Sequence, residues 1–239
     1  MAACGAQKME VAEDQLSALP DPLIQLILSF LPTNEAARTS VLARRWLHLW
    51  TFIPNLHLEL RPCRDMHKAR RFAMVVDRCL LFRLPPLRSL RLQICADDPL
   101  VEAKLEKWVW HIFSKDGLHE LVLRPFSVTM NCKQFCLDVP KLPVLPHCKA
   151  FNSLNSIHLS ELRVTESLMQ HLVLNCWLLE DLELSNCYII GNIKIHGGTH
   201  LRLKNLTISH CFSRYWQLDI VAPNLSTFTF VDDRLIDTK

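Results

Sequence analysis

Glycine is scarce. With five in 239 residues, the chain has no G-x-x-x-x-G-K-[ST] run and no G-x-G-x-x-G run, so loops that cradle phosphate with backbone N–H groups are not expected. A G-x-S-x-G nucleophile elbow is also missing, and His196-Gly197-Gly198 reads as a tight turn between strands rather than an oxyanion loop. No apolar run approaches the roughly 18 residues of a membrane span. Residues 1–14 lack the apolar stretch of a signal peptide. A soluble intracellular chain is therefore expected, cytoplasmic and/or nuclear, with no membrane partner. In that setting the ten cysteines read as reduced thiols rather than a disulfide framework. Cys132, Cys136, His147 and Cys148 fit no common zinc-finger spacing, so no metal and no cofactor are expected. The net charge of +3 is too small to argue for nucleic acid. Basic residues do cluster at Arg61, Arg64, Lys68, Arg70, Arg71, Arg78, Arg83, Arg88 and Arg91, against only Asp65 and Asp77. Because Phe72, Val75, Val76, Cys79 and Leu80 fall at helical spacing in the same stretch, the cluster reads as the wet face of a helix.

What the chain has instead is apolar surface in two patterns. The first runs from Leu19 to Pro32. Asp21 suits an N-cap, Pro22 the first helical position and Pro32 the stop. Between these marks only Gln25 and Ser29 are polar. Leu23, Leu26, Ile27 and Phe30 form one stripe at i, i+3, i+4, i+7, and Ile24, Leu28 and Leu31 form a second. A surface helix needs one apolar stripe, so a partner is expected to cover the other. Thr33 suits the cap of a short second helix holding Ala36, Ala37, Val41 and Leu42. Trp46, Leu49 and Trp50, at i, i+3, i+4, suggest a third before Pro54.

The second pattern is a repeat: apolar, two residues, apolar, one residue, apolar. It occurs at Leu87/Leu90/Leu92, Leu118/Leu121/Leu123, Leu154/Ile157/Leu159, Leu179/Leu182/Leu184, Leu203/Leu206/Ile208 and Leu225/Phe228/Phe230. Cys95, Cys187 and Cys211 each follow three residues after the last apolar position, completing a leucine-rich-repeat signature. Paired apolar residues of a strand point inward, and the cysteine is read as a small buried hydrophobe. Ile193-Lys194-Ile195 and Leu218-Asp219-Ile220 suggest further strands on the return side. Residues 64–83, 99–113 and 165–175 read as helices, the last capped by Thr165. Residues 124–153, with four prolines, read as a long loop.

The ordered run Leu19-Pro20, Ile27-Leu28-Ser29-Phe30-Leu31-Pro32, Arg38-Thr39-Ser40-Val41-Leu42, Arg45-Trp46, Leu49-Trp50 resembles the F-box of plant F-box/leucine-rich-repeat proteins, with mild departures at Pro22 and Ala43. Residues 176–187 and 218–225 resemble that family's repeat region. The resemblance implies an α/β chain: a three-helix F-box over 14–54, a helical linker over 55–86 and a leucine-rich-repeat solenoid over 87–239, short for the family. It implies a non-catalytic substrate adaptor of a cullin–RING (SCF-type) ubiquitin ligase, docking on a Skp-type adaptor and through it on cullin. The docking residues carried over are Leu19, Pro20, Leu23, Ile27, Leu28, Leu31, Val41, Leu42 and Trp46. Alternation along the strands puts Arg91, Gln93, Arg124, His158, Glu183, Thr207 and Thr229 on one face, expected to bind an unknown protein target. The alternative readings are a repeat scaffold without a ligase role, or a non-functional truncated form.

Overall fold

The structure, a computed structural model, describes residues 15–62, 64–81, 86–127, 135–137, 149–213 and 217–232. It divides into two compact units, with the boundary in the chain between Ile53 and Pro54.

The first unit is helical. It contains α1 (Gln15–Ala18), α2 (Asp21–Ser29) and α3 (Thr33–Arg38), followed by 3-10 turns at Thr39–Val41, Arg44–Leu47 and Leu49–Phe52. Both longer helices start behind a proline. Pro20 and Pro32 adopt extended ψ near 145° with no side-chain cap. Their carbonyls accept from Leu23 and Ile24 and from Glu35 and Ala36, which satisfies part of each first turn. Asp21 and Thr33, expected as caps, are instead first helical residues, because each helix begins one position earlier than the cap chemistry suggested. The Asp21 carboxylate is taken by Arg45, at 2.7 Å from Nε and 2.6 Å from the terminal nitrogen. The third expected helix is also different: Arg44–Phe52 forms two 3-10 turns. Trp46 on the first turn and Leu49 at the start of the second both enter a core with Ile24, Leu28, Ala36 and Ile53.

The second unit is α/β. Seven strands form one sheet in the order β1 (Asn55–Glu59), β2 (Ser89–Cys95), β3 (Glu120–Phe126), β5 (Ser156–Ser160), β7 (Asp181–Ser185), β10 (Asn205–Ser209) and β12 (Thr227–Val231). All are parallel and without slip, so Leu58, Leu92, Leu123, Leu159, Leu184, Ile208 and Phe230 form one continuous row. Register is held before each strand as well. The carbonyls of Pro54, Arg88, His119, Asn155, Glu180 and Lys204 each accept two N–H groups from the next repeat. The repeat positions expected inside are buried from Leu90 to Ile208, whereas Phe228 and Phe230 on β12 are exposed.

Residues 55–86 were expected to be a helical linker, and only part is. Asn55–Glu59 is the first strand of the sheet, and helix follows as α4 (Met66–Leu81). α5 (Pro99–Phe113) and α6 (Glu166–Asn175) match their expected spans, and Thr165 caps α6 by accepting from the Leu168 N–H at 3.2 Å. β4 (Phe135–Leu137), β6 (Leu162–Thr165) and β8 (Tyr188–Ile190) form a second parallel sheet, and β9 (Ile193–His196) pairs with β11 (Leu218–Val221). These are the return-side strands. β4 and the 3-10 turn Lys149–Asn152 lie within the stretch read as a loop, whose residues 128–134 and 138–148 lie outside the described residues. Glu161, Asn186 and His210 take positive φ, 58°, 52° and 52°, directly after β5, β7 and β10. Each bends the chain so that Leu162, Cys187 or Cys211 enters the core.

Candidate functional site

Two surfaces carry the sequence-derived residues. On the helical unit, the stripe of Leu23, Leu26, Ile27 and Phe30 stays exposed, Phe30 at 80%, while Ile24 and Leu28 of the other stripe are buried; its third member, Leu31, lies past the end of α2 and is exposed as well. Val41 is 88% exposed and Leu42 64%. Large apolar side chains left this open are unusual as a group. Of the nine residues expected to dock, Leu28 and Trp46 serve the unit's own core and Leu19 packs partly against it. Pro20, Leu23, Ile27, Leu31, Val41 and Leu42 face solvent. Trp46 Nε1 is buried without an acceptor among the described residues.

The second surface is the polar face of the seven-stranded sheet. Its middle row runs His57, Arg91, Val122, His158, Glu183, Thr207 and Thr229 in strict register. Arg91 donates to Glu120 at 2.7 Å, and Ser89 Oγ donates to the other Glu120 oxygen at 2.7 Å. Burial pushes the Glu120 carboxyl up, but the Ser89 hydroxyl and the Arg91 guanidinium outweigh it and hold the group below the ordinary glutamate range. His158 sits between Ser156 Oγ (2.8 Å from Nε2) and a Glu183 oxygen (2.7 Å from Nδ1). His57 and Glu59 pair at 2.6 Å on β1.

Between these groups lies a groove of about 200 Å³, lined by Glu59, Arg91, Gln93, Glu120, Val122, Arg124, His158 and Glu183. That is smaller than the roughly 300–1,000 Å³ of ordinary small-molecule pockets; it has room for one or two protruding side chains of a protein. Arg91, Gln93, Arg124, His158 and Glu183 thus come together, while Thr207 and Thr229 continue the row outside the groove. His57, Glu59 and Glu120 were missed. The spacing Ile53/Leu56/Leu58 carried the signal for β1, since it repeats that of the later strands.

Among the described residues no group of three or more His, Cys, Asp or Glu side chains is placed to hold a metal ion. Cys132, His147 and Cys148 lie outside the described residues, as does the side chain of Cys136. His196 pairs with Asp219 at 2.8 Å, and Gly198 takes a φ of 55° in the turn that follows β9. No helix among the described residues is long and apolar enough to cross a membrane.

An F-box domain model matches residues 16–58, and the model described as At1g61320/AtMIF1, LRR domain, matches residues 86–238. Three Arabidopsis thaliana proteins are similar over most of the chain. The F-box/FBD/LRR-repeat protein At5g56420 is 32% identical over 82% of this chain and 49% of its own length. The FBD-associated F-box protein At4g10400 is 29% identical over 92% of this chain and 56% of its own length. The F-box/LRR-repeat protein At3g03360 is 28% identical over 94% of this chain and 48% of its own length. The chain spans about half the length of these relatives.

Proposed function

The chain belongs to the F-box/LRR-repeat protein family, and from that membership we propose that it is a non-catalytic, substrate-recognising subunit of a cullin–RING ubiquitin ligase. Its helical unit is the F-box, docking on a Skp-type adaptor and through it on cullin. Its repeats form a leucine-rich-repeat solenoid whose polar sheet face receives a protein target. The boundaries proposed are 14–54 for the F-box and 87–239 for the repeats, with β1 and α4 leading into them. Bringing a target beside a charged ubiquitin carrier raises the effective concentration of its lysines, so this chain needs no reactive group of its own.

The observation that carries this reading is the split of α2 into a buried stripe and an exposed one. Leu23, Ile27 and Leu31, with Val41 and Leu42, are apolar and uncovered, as a docking face requires. The target face is Arg91, Gln93, Arg124, His158, Glu183, Thr207 and Thr229. Its mixed charge and shallow groove favour a folded or extended protein over nucleic acid.

The test is capture of a purified Skp-type adaptor by the full chain, wild type against Ile27→Asp. A carboxylate pressed into an apolar interface without a partner costs several kcal/mol, roughly, so the variant should lose capture. Circular dichroism checks that it remains folded. Undiminished capture by Ile27→Asp would sink the docking assignment.

A further inference from the structure

The outward face of α4 carries a pattern that neither proposed surface uses. The helix buries Ala69, Ala73, Val76 and Leu80, at i, i+4, i+7 and i+11. The opposite side presents Lys68, Arg71, Met74, Val75 and Arg78, all exposed. Arg71 and Arg78 stand seven residues apart, two turns or about 10 Å along the axis. Met74 and Val75 fill the turn between them, 56% and 47% exposed.

Among the described residues, three acids on and beside α4 are engaged elsewhere. Asp77 binds Lys104 and accepts from Trp108 Nε1 at 2.7 Å. Asp98 binds Arg70 at 2.6 Å. Asp65 accepts from the Lys68 backbone N–H at 3.1 Å, at the start of the helix. Among the described residues Arg71 and Arg78 have no ion pair. A wet helix face needs cations for solubility, but it gains nothing from two large apolar side chains centred between them.

We propose that this face docks an acidic helical segment of a partner protein. Two carboxylates seven residues apart on that segment meet Arg71 and Arg78, and an apolar pair between them covers Met74 and Val75. The ion pairs set register and speed encounter, since exposed pairs add little affinity. The apolar contact supplies the burial. A nucleic-acid backbone or a lipid headgroup layer offers the phosphates but leaves Met74 and Val75 without a matching apolar pair. This surface is independent of the adaptor and target faces, and its failure leaves both untouched.

The experiment uses the full chain and a synthetic, fluorescently labelled helical peptide of about 18 residues, long enough to hold helix in an alanine-rich background. Its centre reads glutamate, two spacers, a leucine pair, two spacers, glutamate. Anisotropy titration should show saturable binding. Affinity should fall about tenfold or more, roughly 1.4 kcal/mol or more, when the peptide's leucines become serines, and by a smaller factor, about threefold, in the Arg71→Gln/Arg78→Gln chain. All the changed side chains on α4 are exposed, so the fold should persist, as far-UV circular dichroism checks; Val75→Ser is a second variant, expected to weaken binding without removing charge. The proposal is overturned by absence of saturable binding, by equal affinity of the serine peptide, or by equal affinity of the double variant. Tighter binding of a DNA duplex or of phosphatidylserine vesicles, insensitive to Val75→Ser, also overturns it and makes the face a phosphate-binding one.

Discussion

The Cys187 thiol donates to the carbonyl of Leu159, one strand back, at 3.3 Å. Cys211 repeats the arrangement toward Leu184 at 3.5 Å. The repeat cysteine therefore does more than fill space: its S–H reaches a carbonyl at the end of the preceding repeat. The neighbouring Cys211 thiol, and then burial, push the Cys187 thiol well above the ordinary cysteine range. Reactivity follows the thiolate, so Cys187 should resist alkylation in the folded chain. Iodoacetamide at about pH 8, read by mass spectrometry, is expected to label it only in urea; rapid labelling of the native chain would show that the site opens.

Leu206 and Thr207 are neighbours on β10 with opposite fates. Leu206 lies fully buried between Leu182 and Phe228 in register, while Thr207 points to the polar face. Leu206→Ala should cost about 2–5 kcal/mol, as core truncations do. Thr207→Ala should stay within about 0.5 kcal/mol. Urea melts of the two variants compare them directly, and similar losses at both positions would contradict the strand alternation.

Asp98 joins α5 to α4. One carboxylate oxygen accepts from the Leu100 N–H at 2.9 Å, at the start of α5 behind Pro99, and the other binds Arg70 at 2.6 Å. Burial raises its pKa, but the Leu100 N–H and the Arg70 guanidinium outweigh this and hold it below the ordinary aspartate range. A carboxyl whose folded value lies below its unfolded value stabilises the chain above the unfolded value, about 3.9. That stabilisation is lost as pH falls through the folded value. Asp98→Asn should thus be destabilised near neutral pH, with the gap to wild type closing as pH drops below about 4. A gap independent of pH would mean the charge contributes nothing.

Much of this was legible in the sequence, and the reasons differ by element. α5 could be bounded because Asp98-Pro99 is a start signal and Leu105, Trp108, Val109 and Ile112 keep helical period to Phe113. The strands from Leu90 to Ile208 were legible because burial on one side forces alternation. β1 was not, since Pro54 reads as the end of the helical unit and hides a repeat beginning just before it. The 3-10 turns at Arg44–Phe52 were not legible either, because Trp46 and Leu49, three apart, suit both periods. Of the polar face, the sequence located Arg91 and His158 but not the partnership of Arg91 with Glu120. That pair joins adjacent rows of different strands, and only the register sets it. The exposed stripe of α2 was legible as a stripe, but which stripe faces outward depends on where α3 and the 3-10 turns close.

That choice yields the last prediction. Ile24 and Ile27 are the same residue type, three apart on α2, with Ile24 fully buried and Ile27 41% exposed. Ile24→Ala should cost about 2–5 kcal/mol by leaving a hole against Leu28, Trp46 and Leu49. Ile27→Ala removes surface that the isolated chain already leaves in water, so its stability should change by about 0.5 kcal/mol or less. Adaptor capture should reverse the order. Ile27→Ala should weaken it directly through lost interface burial, with an unchanged melting curve. Ile24→Ala should retain capture at temperatures where the helical unit remains folded, and lose it only on melting. Denaturant melts monitored by tryptophan fluorescence, which Trp46 and Trp50 report, run beside adaptor binding by calorimetry, make the comparison. If Ile27→Ala proves the more destabilising variant, or if both bind the adaptor like wild type, the assignment of the two stripes is wrong.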